Sequence, residues 1–196
     1  MDSALAVWIN RAARGPLDRV SEALCAIELL VLLWLAVFAI VWWRDRPRRA
    51  QVLAAGVAAT ALSFLLNELV LKHVMLLWMP MRIRPWVAHP EEIVPIGHLF
   101  EDSSFPSSHT TSAAAVAVVL AAHYPRARVP VALFVLTMAL ARVHNGMHYP
   151  TDVLSGALLG VLYGLAGLAL TKRLVARTAR EPEREAIAVE VPTREP

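Results

Sequence analysis

The sequence contains a single cysteine, Cys25, and few charged residues. One cysteine excludes an internal disulfide and any metal site built from several cysteines. Charged residues make up 18% of the chain, whereas 57% is hydrophobic and the mean hydropathy is +0.52. Soluble domains contain about 45–50% apolar residues. The composition therefore indicates an integral membrane protein, and we expect the bilayer, not a nucleic acid, as its partner.

Long apolar runs predict membrane-spanning helices. Residues 23–43 and 52–71 each approach the ~20 residues needed to cross the bilayer core. With three further runs, the predicted spans cover about residues 23–43, 51–71, 107–123, 129–143 and 152–171. We therefore predict an all-α fold: a polytopic membrane helix bundle of about five spans, forming one domain over residues 1–178.

The two ends of the chain are predicted to differ from this bundle. Residues 4–9 are too short for a signal-peptide core and are followed by arginines, so no cleavable signal peptide is expected. An amphipathic interfacial helix with Trp8 at the headgroups is the expected structure there, with a frayed terminus as the alternative. Residues 179–196 alternate charge and proline with little apolar content, which predicts a disordered cytoplasmic tail.

Positive charge lies on one side of the five-span arrangement. Basic residues cluster at 44–49, 126–128 and 172–180. Such clusters near the ends of spans mark the cytoplasmic side of a membrane protein. Segments 72–106 and 144–151 would then share the outer side.

Acidic residues and glycines inside the spans each have two interpretations. Glu28 and Glu68 are ionisable groups within apolar runs, which often mark function in a membrane. Glu68 also lies four residues before Lys72, a favourable helical pair, and we interpret both glutamates as structural. Glycines at 156, 160 and 164 recur every four residues, which lets helices approach closely. Packing inside the bundle is the expected role and dimerisation the alternative; the oligomeric state is not predicted.

The segment from Ser103 to Thr111 joins a polar stretch to an Ala/Val-rich run. Pro106 predicts a helix start, because proline is favoured at the first helical position. The backbone N–H groups near Ser107, Ser108 and His109 would then lack helical partners, and such donors at a helix N-terminus bind phosphate. Taken alone, the segment is more typical of an ordinary helix cap.

A second polar segment, from Arg142 to Asp152, precedes the last span. Pro150 again predicts a helix start, and His148 lies four residues before Asp152, so the carboxylate can reach back to the imidazole. A carboxylate on one ring nitrogen fixes the tautomer and leaves the other nitrogen available as a nucleophile or base.

Arginines surround these candidate histidines. The outer segment carries Arg82 and Arg84, whose planar guanidinium groups suit phosphate oxygens. A divalent metal would need carboxylates and imidazoles without nearby cations, so we predict an anion site with no metal and no cofactor. The remaining histidines have no regular spacing and are interpreted as interfacial or loop residues: His73, His89, His98, His123 and His144.

Three motifs together resemble one known family. They are Arg84-Pro85, then Pro106-Ser107-Ser108-His109, then Arg142 with His148 and Asp152, in this order at the outer ends of predicted spans. This order resembles the type 2 phosphatidic acid phosphatase superfamily, and most of all its bacitracin-resistance branch of undecaprenyl pyrophosphate phosphatases. The resemblance covers roughly residues 5–170.

The resemblance implies a role for each motif residue. His148 would be the nucleophile that forms a phosphohistidine, Asp152 would orient it, and His109 would protonate the leaving group. The phosphoryl oxygens would be held by Arg84, Arg142, Ser107 and Ser108. Three positions depart from the family pattern: Leu77 replaces a lysine for which Lys72 or Arg82 would substitute, Ser108 stands where glycine is frequent, and Ala141 replaces a serine.

The resemblance also implies a function. The expected activity is hydrolysis of undecaprenyl pyrophosphate to undecaprenyl phosphate and inorganic phosphate, in a bacterial inner (plasma) membrane with the active site facing the periplasm or exterior. The alternative is a phosphatase of lipid monophosphates such as phosphatidylglycerol phosphate or phosphatidic acid. A lipid transporter or flippase, suggested by Glu28 and Glu68, is a third and weaker alternative.

Overall fold

The computed structural model of the chain describes residues 1–12, 14–71, 73, 77, 78 and 80–190. All regular structure in these residues is helical, which confirms the predicted all-α class. A π-helical segment, Leu65–Leu71, continues the fourth helix. The α-helices are α1 (Asp2–Ala12), α2 (Pro16–Cys25), α3 (Ile27–Arg44), α4 (Arg49–Phe64), α5 (Pro85–Ala88), α6 (Ser108–His123), α7 (Arg128–His144) and α8 (Pro150–Glu190).

Four helical segments in the described part of the chain are long and apolar enough to cross a membrane. They are Ile27–Arg44, Arg49–Leu71, Pro125–His144 and Pro150–Thr178. The remaining predicted span corresponds to α6, which has only 16 residues. Most of its alanines and valines are buried among α4, α7 and α8. The five predicted spans are therefore four long helices and a shorter one that packs against three of them.

The glycines of α8 lie against the backbone of α6. A Cβ atom on Gly156 would come within 2.7 Å of the Ser107 carbonyl oxygen, and one on Gly164 would meet the Ala115 carbonyl oxygen at the same distance. Only glycine permits so close an approach of two helix backbones. The predicted packing role of these glycines inside the bundle is confirmed, and it brings the N-termini of α6 and α8 together.

The helix ends separate the basic turns from the polar motifs. On one side, Arg48 donates to the His123 carbonyl oxygen at 3.2 Å, and the Tyr124 hydroxyl donates to Asp45 at 2.8 Å. The opposite side carries the N-termini of α6 and α8, the C-terminus of α7 and the segment from Arg82 to Ser104. The two polar motifs thus share one end of the bundle, as predicted; which end faces the periplasm stays a prediction.

The N-terminal helices pack on the end that carries the polar motifs. The helix predicted around residues 4–9 exists as α1, and Trp8 is exposed. Its other face packs against protein: fully buried Asn10 donates to the carbonyl oxygens of His144 at 2.6 Å and Val94 at 3.0 Å. His144, predicted to be an interfacial or loop residue, is instead the buried last residue of α7, and its ring nitrogens contact Ile9 O and Asp18 Oδ1.

The last helix is longer than predicted. The sequence predicts that this helix ends near residue 171 and the bundle near residue 178. The helical backbone of α8 continues to Glu190. Residues 179–190 are rich in Ala, Glu and Arg, which are strong helix formers. Residues 191–196 lie outside the described part of the chain, and the disorder predicted for residues 179–196 stays a prediction.

Candidate active site

His148 lies in the short loop between α7 and α8 and is buried. Its Nδ1 is 2.7 Å from the Ser104 carbonyl oxygen. A carbonyl oxygen can only accept, so Nδ1 carries the proton and donates, and Nε2 keeps its lone pair. Nε2 faces two guanidinium groups, at 3.2 Å from Arg142 Nη2 and 3.5 Å from Arg84 Nη1. The nitrogen able to act as a nucleophile therefore points at the two arginines.

The surroundings of His148 keep its imidazole neutral. Burial is the largest cause that lowers its pKa well below the ordinary value, and the charges of Arg142 and Arg84 lower it further. The hydrogen bond to Ser104 acts in the opposite direction but does not outweigh them. Only a neutral imidazole has a lone pair with which to attack.

Asp152 lies beside His148 without a hydrogen bond to it. The distance from Asp152 Oδ2 to His148 Nδ1 is 3.9 Å. Oδ2 instead accepts from the Tyr149 N–H at 2.8 Å, and Oδ1 accepts from Arg82. The spacing of four residues does bring the carboxylate close to the imidazole, but the hydrogen bond from His148 Nδ1 goes to the Ser104 carbonyl oxygen. A carboxylate in the first turn of a helix readily accepts such backbone donors.

Arg84 is rigidly held within this site. Its side chain is 3% exposed and donates to Asp102 through Nη2 at 2.5 Å and through Nε to the backbone oxygen at 3.0 Å. Nη1 also donates to the Met147 carbonyl oxygen at 3.0 Å. Arg142 is buried at the end of α7. These contacts fix the direction of the Arg84 guanidinium group before any ligand arrives.

The remaining predicted site residues separate into two groups. His109 and Ser108, in the first turn of α6, line the same cavity as His148. Ser107 does not line it: its buried hydroxyl pairs with Thr110 Oγ1 at 3.1 Å, and its N–H donates to the Asp152 carbonyl oxygen at 3.2 Å. Arg82 is also absent from the cavity wall and pairs with Asp2 and Asp152.

Neither Leu77 nor Arg82, two of the positions considered for the missing lysine, is among the residues that line the cavity. Leu77, where the family pattern has lysine, is 78% exposed. Lys72 lies outside the described residues. Among the described residues that line the cavity, the positive charge comes from Arg84 and Arg142.

The cavity combines a charged end with an apolar wall. Its volume is about 550 Å³. Arg84, Arg142, His109 and His148 lie at one end, while the apolar wall consists mainly of Ile27, Leu30, Val31, Trp34 and Phe64 from α3 and α4. Such a shape suits a ligand with an anionic head and a long apolar tail.

Glu68 lines this cavity, a position that its sequence pattern did not predict. The hydroxyl of Ser108 donates to Glu68 Oε1, and the neighbouring Asn67 donates to Ser108 Oγ at 3.3 Å and to Thr111 Oγ1 at 3.2 Å. Both residues lie in the π-helical segment Leu65–Leu71, and such distortions are frequent at functional sites. The sequence predicted a structural role for Glu68 because Lys72 follows it four positions later, which is the spacing of a helical ion pair.

Asp102 and Asp2 were also missed. Asp102 fixes Arg84, and its place one residue before the Ser103–Thr111 segment was the available signal. Asp2 accepts from Arg82 across 80 positions of sequence, and no local pattern indicates such a contact.

The arrangement suits an anion. Among the described residues, no group of three or more His, Cys, Asp or Glu side chains could hold a metal ion. The charged end of the cavity instead presents guanidinium donors, which match the geometry of phosphate oxygens.

The chain is similar to several characterised phosphatases. The undecaprenyl-diphosphatase BcrC of Bacillus subtilis is 29% identical over 138 residues, which cover 70% of this chain and 67% of BcrC. The decaprenylphosphoryl-5-phosphoribose phosphatase of Mycolicibacterium smegmatis is 47% identical over 76 residues, which cover 38% of this chain and 39% of that protein. The chain thus spans about two thirds and two fifths of these two relatives.

Two solved structures share the fold. The Aquifex aeolicus LpxE structure has a TM-score of 0.65 at 22% identity, covering 86% of this chain and 94% of that one. The transmembrane PAP2-type phosphatidylglycerolphosphate phosphatase of Bacillus subtilis has a TM-score of 0.60 at 24% identity, covering 87% and 86%. The sequence profile of the PAP2 superfamily matches residues 51–176. With that match across well over half of its length, the chain belongs to the PAP2 superfamily.

Proposed function

We propose that this membrane lipid phosphatase hydrolyses undecaprenyl pyrophosphate to undecaprenyl phosphate and inorganic phosphate through a phosphohistidine. The observation that carries the proposal is the direction of His148 Nε2, which faces Arg84 and Arg142 at the charged end of a cavity with an apolar wall. The similarity to BcrC, named an undecaprenyl-diphosphatase, supports this choice of lipid.

The first chemical step follows from this geometry. His148 Nε2 attacks the terminal phosphorus, the bond from phosphorus to the bridging oxygen breaks, and the lipid monophosphate departs. Arg84 and Arg142 stabilise the charge on the transferring phosphoryl group, which is the main demand of phosphoryl transfer. His109 donates a proton to the leaving oxygen. The His148 ring then carries a positive charge, which the Ser104 carbonyl and the nearby Asp152 carboxylate stabilise.

The second step returns the enzyme to its starting state. Water attacks the phosphohistidine, His109 accepts its proton, and the bond from phosphorus to His148 Nε2 breaks, which releases inorganic phosphate. The Ser108 hydroxyl donates to Glu68, so we assign phosphate binding at this residue to its backbone N–H. In this scheme arginines supply the positive field, and no metal takes part.

Hydrolysis of a lipid monophosphate is the second candidate. The Glu68 carboxylate on the cavity wall favours it, because a carboxylate would repel the second phosphate group of a pyrophosphate. The relatives also include a phosphatase of a phosphorylated prenyl sugar and lipid A 1-phosphatases.

For both candidates, we propose that the site faces the periplasm or exterior.

Phosphate release by the purified protein tests both candidates. Undecaprenyl pyrophosphate, phosphatidylglycerol phosphate and phosphatidic acid are compared at equal mole fraction, with and without excess EDTA. We expect the fastest release from the pyrophosphate, unchanged by EDTA, and none from His148→Ala. The control is His123→Ala, at the opposite end of the bundle.

Three outcomes would change the conclusion. Faster turnover of a monophosphate would select the second candidate. Loss of activity in EDTA that zinc or magnesium restores would contradict the metal-independent scheme. A trapped phosphoenzyme in His148→Ala would assign the nucleophile to another residue.

A further inference from the structure

Helix α1 bridges the loop that carries His148. At its N-terminus, Asp2 accepts from the N–H of Thr151 at 3.1 Å and from the Thr151 hydroxyl at 2.5 Å, at the start of α8. Eight residues further on, Asn10 donates to the carbonyl oxygen of His144, the last residue of α7, at 2.6 Å. The two anchors are about 12 Å apart along the helix axis. One short helix is thus bonded to both elements that flank the loop of residues 145–149.

Asp2 is also connected to Asp152 through one arginine. Arg82 Nη2 lies 2.5 Å from Asp2 Oδ2, and Arg82 Nη1 donates to Asp152 Oδ1. The Arg82 guanidinium lies 4.4 Å from the centre of the Tyr149 ring. Asp152 is completely buried, whereas the Arg82 side chain is 34% exposed. A partly exposed ion pair gains little when its long side chain is mobile, so the second carboxylate gives Arg82 a fixed position.

The charge on Asp2 fits this role. Burial alone would raise the pKa of Asp2, but hydrogen bonds from Thr151 and Arg82 and the charge of Arg82 lower it below the ordinary value. Asp2 is therefore ionised at neutral pH and offers Arg82 a full negative charge.

We propose that α1 acts as a splint, that is, a helix that holds both ends of the catalytic loop of residues 145–149 in place. In this arrangement Asp2 is a positioning residue: it holds Arg82 on Asp152 and so keeps the Asp152 carboxylate beside His148. The proposal rests on the proposed phosphatase function. The carboxylate lies 3.9 Å from the ring that becomes positively charged in the phosphohistidine. A displacement of about 1 Å at such a position can cost on the order of 10²-fold in rate.

A double-mutant cycle on turnover tests the link. We expect Asp2→Ala to lower kcat about 10–100-fold, as loss of an outer-shell partner does, with KM nearly unchanged because Asp2 does not line the cavity. Arg82→Gln should lower kcat at least as much, and the double variant no further than Arg82→Gln, because both act through one contact. Asp2→Glu should restore part of the loss. The control is Glu91→Ala, an exposed carboxylate on the outer segment.

Two kinetic outcomes would overturn the proposal. Losses that multiply in the double variant would show that Asp2 and Arg82 act independently. A higher KM with kcat unchanged would assign Asp2 to substrate binding. Asp2→Asn keeps the side-chain volume, and comparing its melting temperature with that of the parent separates loss of positioning from loss of fold.

Amide hydrogen exchange gives a readout that does not need activity. Asp2→Ala should speed exchange across residues 144–152 relative to the parent and to Glu91→Ala, while α6 stays protected. Unchanged exchange in that loop would overturn the splint even if catalysis falls. A parent protein with no phosphatase activity on any lipid would instead refute the proposed function, and the exchange result would still decide the splint.

Discussion

His148 should remain neutral at pH values at which an exposed histidine is already protonated. Burial, then Arg142 and Arg84, lower its pKa. Because the pKa of the folded protein is lowered, the nucleophilic form persists as the pH falls through 6.5 and is lost only at lower pH. We therefore expect the acid limb of the kcat/KM profile to lie below pH 6.5.

The substrate also titrates near this range, so the profile needs a control. Comparing a lipid pyrophosphate with a lipid monophosphate separates the two, since a limb shared by both belongs to the enzyme. Arg142→Gln removes one of the lowering charges and should move the limb to higher pH in the residual activity. An enzyme limb at or above pH 6.5 would contradict the geometry described for His148.

His109 provides a second residue-scale prediction, which distinguishes substrate classes. General acid catalysis contributes about 10²–10⁴-fold when a leaving group needs a proton. A lipid monophosphate expels an alkoxide, whereas a lipid pyrophosphate expels a phosphate monoester with a second pKa of about 6. His109→Ala should therefore reduce kcat/KM far more on monophosphates than on pyrophosphates, provided that chemistry limits both rates.

The comparison requires lipids with matched tails, with His123→Ala as the control. Equal losses on both substrate types would mean that His109 does not act chiefly as a leaving-group acid. Phosphoenzyme formation measured on the same variant would then report whether His109 holds the phosphate in the ground state.

Sequence motifs predicted which residues would meet in the site but not every contact among them. Side chains at the ends of adjacent spans placed His148, His109, Arg84 and Arg142 around one cavity, as expected. The partner of His148 Nδ1 is the Ser104 carbonyl, and no sequence pattern distinguishes one backbone carbonyl from another. The sequence could place Asp152 near the ring but could not determine which donor its oxygens accept from.

At the scale of secondary-structure elements, the contact of α6 with α8 sets the site. Gly160→Ala would place a Cβ atom against the Thr111 carbonyl oxygen and the Ala114 side chain, with no flexible group to yield on the backbone side. We expect a loss of about 1–3 kcal/mol in the free energy of unfolding, as for overpacked cores, together with reduced activity because Ser108 and His109 move. Thermal unfolding in detergent and phosphate release measure the two effects.

A substitution on the outward face of the same helix is the control. Ala166 is exposed on α8, and Ala166→Leu adds more volume than Gly160→Ala does without meeting α6. If both variants unfolded at the parent temperature, the close approach of the two helices would not contribute to stability.

The π-helical segment explains why the place of Glu68 in the cavity was not predicted. An ideal helix would pair Glu68 with Lys72, and this spacing supported a structural role. In the π-helical segment Leu65–Leu71, Asn67 and Glu68 contact the first turn of α6. Local propensity cannot predict such a change of register, because it arises from packing against a helix some forty residues away.

For the whole molecule, the testable feature is the separation of basic turns from the catalytic end. In a Cys25→Ala protein, Pro47→Cys and Glu91→Cys place exposed thiols at opposite ends of the bundle. An impermeant thiol reagent added to intact cells should label only the Glu91→Cys protein. Gly146 is a poor labelling position, because it has φ of 73° and a Cβ there would meet Ile93 at 2.6 Å.

Permeabilised cells provide the control, since both thiols should then react. Labelling of the Pro47→Cys protein alone in intact cells would invert the proposed orientation. Equal labelling of both would contradict the separation into two sides.

Hydropathy was sufficient to predict the helical membrane bundle, because the bilayer fixes how long an apolar helix must be. It did not distinguish the central α6 from the outer helices, since small apolar residues suit both lipid and tight packing. The polar contacts of Asn10 with His144 and of Asp2 with Thr151, on either side of the catalytic loop, link residues 134 and 149 positions apart, and only the assembled fold brings them together.

The apolar wall of the cavity has a kinetic consequence. Ile27, Val31 and Phe64 line it, and each is about half exposed on the outside of the bundle. We therefore expect a lipid substrate to reach His148 sideways from the surrounding leaflet, without passing through water. For such an enzyme the relevant substrate concentration is a surface density, so rates follow the mole fraction of lipid in a micelle or vesicle, and dilution with inert detergent slows turnover at constant bulk concentration.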